Sequence, residues 1–136
     1  MYLLDTNVVS ELRKVESGKA DKHVQAWSFE VDPALLYLSS ISVHEIELGV
    51  LLAERPDEVK GKVLRQWMNE RLIPAFEGRI LAVDKAVALV SAGYHVPDPK
   101  PYRDTLIGAT ALVHKLTVVT RNTGDFQLDG VKTLNP

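Results

Sequence analysis

The first twelve residues, MYLLDTNVVSEL, constrain the fold more than any other stretch. Met1–Leu4 is a short apolar run, Asp5-Thr6-Asn7 interrupts it, and apolar residues return at Val8, Val9, Leu12 and Val15. That last spacing is one face of a helix. A short apolar run closed by Asp, Thr or Asn reads as a buried strand feeding a helix N-terminus. Ligands gather beyond the carboxyl ends of parallel strands, so Asp5 stands where a functional carboxylate would stand. It also stands where a helix cap would, accepting from backbone N–H groups that lack a partner. This stretch alone leaves both roles open.

The same alternation runs on. A second short helix is expected over Lys22–Phe29, with Val24, Trp27 and Phe29 inward, and Asp32-Pro33 marks a turn. Leu35–Leu38 is the second strand. Ser42 stands three residues before Glu45, a capping-box pattern, and Ile46, Gly49, Val50 and Ala53 continue a helix that Arg55-Pro56-Asp57 interrupts. From Pro56 to about Ile73, the residues Val59, Val63, Leu64, Trp67, Met68 and Leu72 form a stripe. It is expected to be core or subunit interface, since an apolar face must be buried somewhere.

Arg79–Val83 is a third strand, and Asp84 caps the helix after it. Val96–Pro101 is a stiff loop with three prolines in six residues. Helix restarts near Pro101 or Tyr102 and runs through DTLIGATALVHK. Leu116–Thr120 is a fourth strand, Arg121–Asp125 a turn, and Val131–Leu134 a last strand. Strands alternating with helices give an α/β fold, a central parallel β-sheet flanked by helices. No linker, repeat or low-complexity tract divides it, so residues 1–136 are expected to form one domain.

Composition narrows the chemistry. There is no cysteine, hence no disulfide framework and no thiolate metal site. The net charge is -2, without the basic excess that marks most nucleic-acid binders. A polyanionic substrate would need a local basic patch or a bound cation. No apolar run is long enough to cross a bilayer, and no signal peptide is expected at the start. His23, His44, His95 and His114 show no metal-ligand spacing and are read as surface or structural.

Right-handed crossovers place strand ends and the helix starts that follow them on one edge of a sheet. Asp5, Glu45 and Asp125 follow strands and fall near that edge. Asp104, at the start of a helix that precedes a strand, is not placed by that rule alone. Clustered carboxylates repel, and the physical compensation is a divalent cation. Hard oxygen ligands suit Mg²⁺ or Mn²⁺, which activate water and polarise phosphoryl oxygens. Thr6, Asn7, Ser42, Thr120 and Asn122 are neutral groups near the same edge, fit to orient a carboxylate and equally fit to be caps and turns. The small run Gly108–Ala111 allows close approach of its helix to the sheet.

Together these pieces resemble the PIN-domain ribonucleases, and among them the VapC-type toxins of toxin–antitoxin pairs. LLDTNVVSEL is similar to the first motif of that family and SSISVHEIELG to its second, in which Glu45 rather than Glu47 is the acid. RDTLIGATALVHKLTVVTRNTGDF resembles the third and fourth, with Asp104 and Asp125 as acids, and TLNP is a typical ending. The resemblance implies a Mg²⁺- or Mn²⁺-dependent endoribonuclease that hydrolyses RNA with a metal-activated water. It implies Asp5 and Asp104 as metal ligands, with Glu45 and Asp125 binding directly or through water. It also implies a cytoplasmic homodimer and a small VapB-like antitoxin that covers the acidic site. Arg121, with Arg13, Lys100 and Arg103, is a candidate contact to RNA phosphates; as a surface charge each needs no such role.

Two other readings compete. A haloacid-dehalogenase-like phosphatase requires a second Asp two residues after the first as general acid, and Asn7 stands there. A PIN-like scaffold that binds RNA or a partner without cutting would not need all four acids.

Overall fold

Leu3 and Leu4 are fully buried, and their strand lies at the middle of the sheet. The computed structural model describes residues 1–136. In it β1 (Tyr2–Leu4) pairs with β2 (Leu36–Ser39) on one side and β4 (Thr117–Val119) on the other. β3 (Ile80–Leu81) extends the sheet beyond β2, and β5 (Lys132–Leu134) extends it beyond β4. All pairs are parallel, in the order β3-β2-β1-β4-β5. The chain therefore steps outward from β1 through β2 to β3, then returns to the other side of β1. The order reverses between β1 and β4, and in open parallel sheets the ligand crevice lies at that reversal, beyond the carboxyl ends. Asp5 and Thr120 immediately follow those two ends.

Successive strand residues face opposite sides of a sheet, which is why β1 serves two cores. Leu4 joins Val8, Val9, Val24, Leu38 and Val50 on one face, under α1 (Thr6–Leu12), α2 (Lys22–Glu30) and α3 (Ser40–Glu54). Leu3 joins Ile107, Ala111, Val118 and Phe126 on the other, under α7 (Tyr102–His114). Between them in sequence come α4 (Glu58–Trp67), the short α5 (Ile73–Ala75) and α6 (Lys85–Gly93). No helix is long and apolar enough to cross a membrane.

Several local expectations change. The first helix stops at Leu12, and Val15 lies in the turns that follow. α3 begins at Ser40, with Ser39 as its cap: the Ile41 N–H donates to Ser39 Oγ at 3.0 Å. Ser42 is therefore not the cap; the extended backbone needed at that position belongs to Ser39. Phe29 is 71% exposed, because it lies well round the helix from the face that carries Val24 and Trp27. The long helix expected from Pro56 to Ile73 is broken by a π-type turn over Met68–Leu72. That turn buries Met68 and Leu72, while Val59 and Val63 are 75% and 59% exposed, so only the second half of the stripe is core. The third strand shrinks to Ile80–Leu81. Asp84 caps α6 as expected, accepting from Val87 N at 3.0 Å.

The placement of Asp104 follows from α7. Only Lys115 and Leu116 separate this helix from β4, so its last turn sits at the amino end of the strand. Its thirteen residues, roughly 20 Å at 1.5 Å per residue, carry its first turn back to the carboxyl edge of the sheet.

Candidate active site

Asp5 continues the β1–β4 ladder through its backbone N–H, which donates to Val119 O at 2.9 Å. Its side chain is 1% exposed and caps α1, with Oδ1 accepting from the Thr6 N–H at 2.7 Å. Oδ2 accepts from the Thr120 hydroxyl at 2.8 Å. The cap and the candidate site carboxylate are thus one group. Thr6 and Asn7 do not take the capping over.

Glu45 projects from α3 toward α1. The Thr6 hydroxyl donates to Glu45 Oε1 at 2.6 Å and lies 3.0 Å from Ser42 Oγ, which is fully buried. Asp104 sits in the first turn of α7. That turn is fastened by Thr105, whose hydroxyl lies 2.9 Å from both Ser91 Oγ and His95 Nε2. His95 Nδ1 in turn accepts from the Lys100 N–H at 3.1 Å. His95 is thus structural, as expected, and ties the proline-rich loop to the helix that carries Asp104.

Asp5, Glu45 and Asp104 meet on one cation. Arg103 Nε donates to Glu45 Oε2 at 2.6 Å and Nη1 donates to Asp104 Oδ1 at 2.8 Å, while Nη2 donates to Asp5 Oδ1. Burial disfavours a charged guanidinium here, but the Glu45, Asp5 and Asp104 carboxylates outweigh it and raise the Arg103 pKa further above its ordinary value. The Asp104 carboxyl is raised, first by burial and then by the negative charges of Asp125 and Asp5, against the pull of Arg103.

Asp125 stands apart from this clamp. It is exposed on the 3₁₀ turn Thr123–Phe126 and lines one cleft with Asp104 and Lys100. On the other side, Arg13 lines a groove with Thr6, Glu45 and Trp67. Asn122 touches the site through its backbone, its N–H donating to Thr120 Oγ1 at 3.0 Å. Asn7 Oδ1 accepts a long bond from Arg121 N at 3.4 Å. The Arg121 side chain turns away, to Asp21 at 3.1 Å and Glu11 at 3.7 Å. Arg103, expected only as a phosphate contact, has its place among the acids instead; Glu45 lies 58 residues away, and no spacing rule reports such a pair.

As the side chains stand, no three His, Asp or Glu residues are gathered tightly enough to hold a metal ion. They are gathered around a guanidinium instead. The donor set is nonetheless right for a hard divalent cation, being carboxylate oxygens with no nitrogen or sulfur among them. Arg103 is its stand-in: one positive group already bonded to three carboxylates. The residues fit such a cation once the guanidinium is elsewhere.

The family model of the PIN domain matches residues 2–129. Toxin FitB of Neisseria gonorrhoeae is 38% identical over an alignment covering 100% of this chain and 98% of its own length. VapC ribonuclease Y4jK of Sinorhizobium fredii is 33% identical, covering 100% of this chain and 97% of its own. The crystal structure of FitAcB from Neisseria gonorrhoeae superposes with a TM-score of 0.89 at 37% identity, over 100% of this chain and 98% of that one. With the sheet order, the acids at its reversal and these likenesses in agreement, the chain belongs to the PIN-domain family, in its VapC-type branch.

Proposed function

We propose that this chain, as one PIN domain over residues 1–136, is a divalent-metal-dependent endoribonuclease and the toxin of a toxin–antitoxin pair. The observation that carries the reading is the convergence of Asp5, Glu45 and Asp104 on a single cation at the reversal of the sheet. The relatives named toxin and ribonuclease support it. Asp5 and Asp104 would hold Mg²⁺ or Mn²⁺, with Glu45 and Asp125 binding directly or through water. A cation held there supplies an activated water and neutralises charge that develops on the phosphoryl oxygens.

The chain's own residues do the positioning. The Thr120 hydroxyl holds one oxygen of Asp5 and the Thr6 hydroxyl one of Glu45; the second oxygen of each faces Arg103, that of Asp5 while also capping α1. Arg13 and Lys100 line the openings on its two sides, where they would take backbone phosphates of a strand crossing the acids. Arg121, already paired, is the weaker candidate for that contact. Attack by water rather than by the 2′-hydroxyl leaves 5′-phosphate and 3′-hydroxyl ends. The protein would work in the cytoplasm as a homodimer, restrained by a VapB-like antitoxin that covers the acidic cleft. The phosphatase reading is disfavoured, since Asn7 cannot serve as the general acid.

Cleavage of pooled cellular RNA tests the proposal, comparing wild type, Asp5→Asn and wild type with chelator. Cleavage confined to the untreated wild type is expected. Activity surviving in Asp5→Asn, or 2′,3′-cyclic phosphate ends, refutes the mechanism. Absence of both cleavage and any Mn²⁺-dependent thermal shift returns the inert-scaffold reading.

A further inference from the structure

We propose that Arg103 is an internal counter-cation, competing with the divalent metal for Asp5, Glu45 and Asp104, so that loading the site requires the guanidinium to swing out. The inference rests on the metal-site reading above and concerns how that site is filled.

The competition is for particular oxygens. Asp5 Oδ2 is taken by the Thr120 hydroxyl and Glu45 Oε1 by the Thr6 hydroxyl. The oxygens that face Arg103 are Asp5 Oδ1, which also caps α1 through the Thr6 N–H, and Glu45 Oε2; both accept from the guanidinium. Asp104 Oδ1 accepts from it as well. Every nitrogen of the guanidinium is therefore committed to a carboxylate, and Asp5 and Glu45 have no other oxygen turned into the cleft that a metal could use with the arginine in place. A metal held through Asp5 and Glu45 must therefore displace the arginine.

The exchange is mechanically simple. Arg103 is next to Asp104 on the first turn of α7, and its side chain is 31% exposed. Rotation about its side-chain bonds takes the guanidinium to solvent without moving the backbone that carries Asp104. Charge favours the exchange when metal is plentiful: Arg103 brings one positive charge to three carboxylates, and a divalent ion brings two. When metal is scarce, the arginine keeps the acids from repelling one another.

Binding of Mn²⁺ alone, without RNA, measures the competition. Free Mn²⁺ is read by its paramagnetic resonance signal and the binding heat by calorimetry, in wild type, Arg103→Gln, Arg103→Lys and Asp5→Asn. Arg103→Gln is expected to bind Mn²⁺ about tenfold or more tighter than wild type, with a lower Tm in chelator and a larger Mn²⁺-induced rise. Arg103→Lys falls between, because a point charge cannot span three carboxylates; it also serves if Arg103→Gln does not fold without metal. Wild type binding Mn²⁺ through Asp5, with Arg103→Gln and Arg103→Lys binding no tighter, overturns the proposal. Failure of every form to bind, or undiminished binding in Asp5→Asn, overturns the metal-site reading and the proposal with it.

Discussion

Thr120 Oγ1 donates to Asp5 Oδ2 at 2.8 Å across the β1–β4 boundary, with both side chains buried. This bond joins two strand ends that are 115 residues apart in sequence, at the point where the strand order reverses. Thr120→Val keeps the shape and removes the hydroxyl, leaving a buried carboxylate oxygen without its partner. The expected loss is about 1–3 kcal/mol in denaturant unfolding. Mn²⁺ affinity should fall roughly tenfold to a hundredfold, the usual consequence of losing a group that orients a ligand. Thr120→Ser should restore most of both. A valine variant with unchanged Mn²⁺ affinity would show that Asp5 is held by the α1 cap alone.

Gly61 and Gly49 make a second, paired case. A Cβ on Gly61 would lie 2.5 Å from Glu54 Cα, on the backbone of the facing helix, so α3 and α4 can cross this closely only with glycine there. Gly61→Ala is expected to destabilise the fold by roughly 1–3 kcal/mol, the usual range for overpacking. Gly49 lies inside α3 with nothing within 4 Å of the position a Cβ would take. Gly49→Ala is therefore expected to stabilise, by up to about 1 kcal/mol through helix propensity. Thermal and urea unfolding of the two variants should move in opposite directions.

Which parts of this were readable beforehand depends on the range of the interactions involved. Asp5, Glu45 and Asp125 follow strands, and the handedness of crossovers brings them to one edge. The crossover rule does not place Asp104, which precedes a strand; the signal that does is the two-residue link from α7 to β4. The spacing toward Glu45 points to Ser42, and Ser39 is the cap because its backbone is the extended one, which a spacing rule cannot see. The stripe from Val59 to Leu72 was continuous in sequence, and no periodicity announces the π-type turn that splits it. Arg103 could be assigned to a helix turn, but where a long side chain ends is decided by residues far away in the chain.

Glu11 links the first two helices and carries a pH dependence of its own. Its Oε2 accepts from Lys14 Nζ at 2.7 Å and its Oε1 from the Asp21 N–H at 3.0 Å. The Lys14 bond leads in holding the carboxyl below its ordinary 4.5, against the opposing effect of burial. A carboxyl lowered on folding stabilises the protein above its unfolded pKa, and that stabilisation is lost as the pH falls through the folded value. Glu11→Gln is expected to cost about 1 kcal/mol near neutral pH, allowing for the exposure of Lys14. The gap to wild type should close below about pH 4, as followed by urea unfolding across that range.

Asp104 is displaced in the other direction. Its carboxyl lies above its ordinary 3.8, from burial first and then from Asp125 and Asp5, with Arg103 pulling back incompletely. A carboxyl raised on folding binds its proton more tightly in the folded chain, so it lends stability at low pH that disappears as the pH rises through the folded value. In chelator at neutral pH the charged Asp104 is therefore a burden. Asp104→Asn, which keeps an oxygen for Arg103, is expected to raise the Tm there. The gain should shrink as the pH falls through the raised folded value, where the wild-type carboxyl takes up its own proton. Mn²⁺ should reverse the order, raising the wild-type Tm and leaving Asp104→Asn nearly unmoved. A variant less stable than wild type in chelator near pH 7 would mean that the Arg103–Asp104 pair outweighs burial and repulsion together.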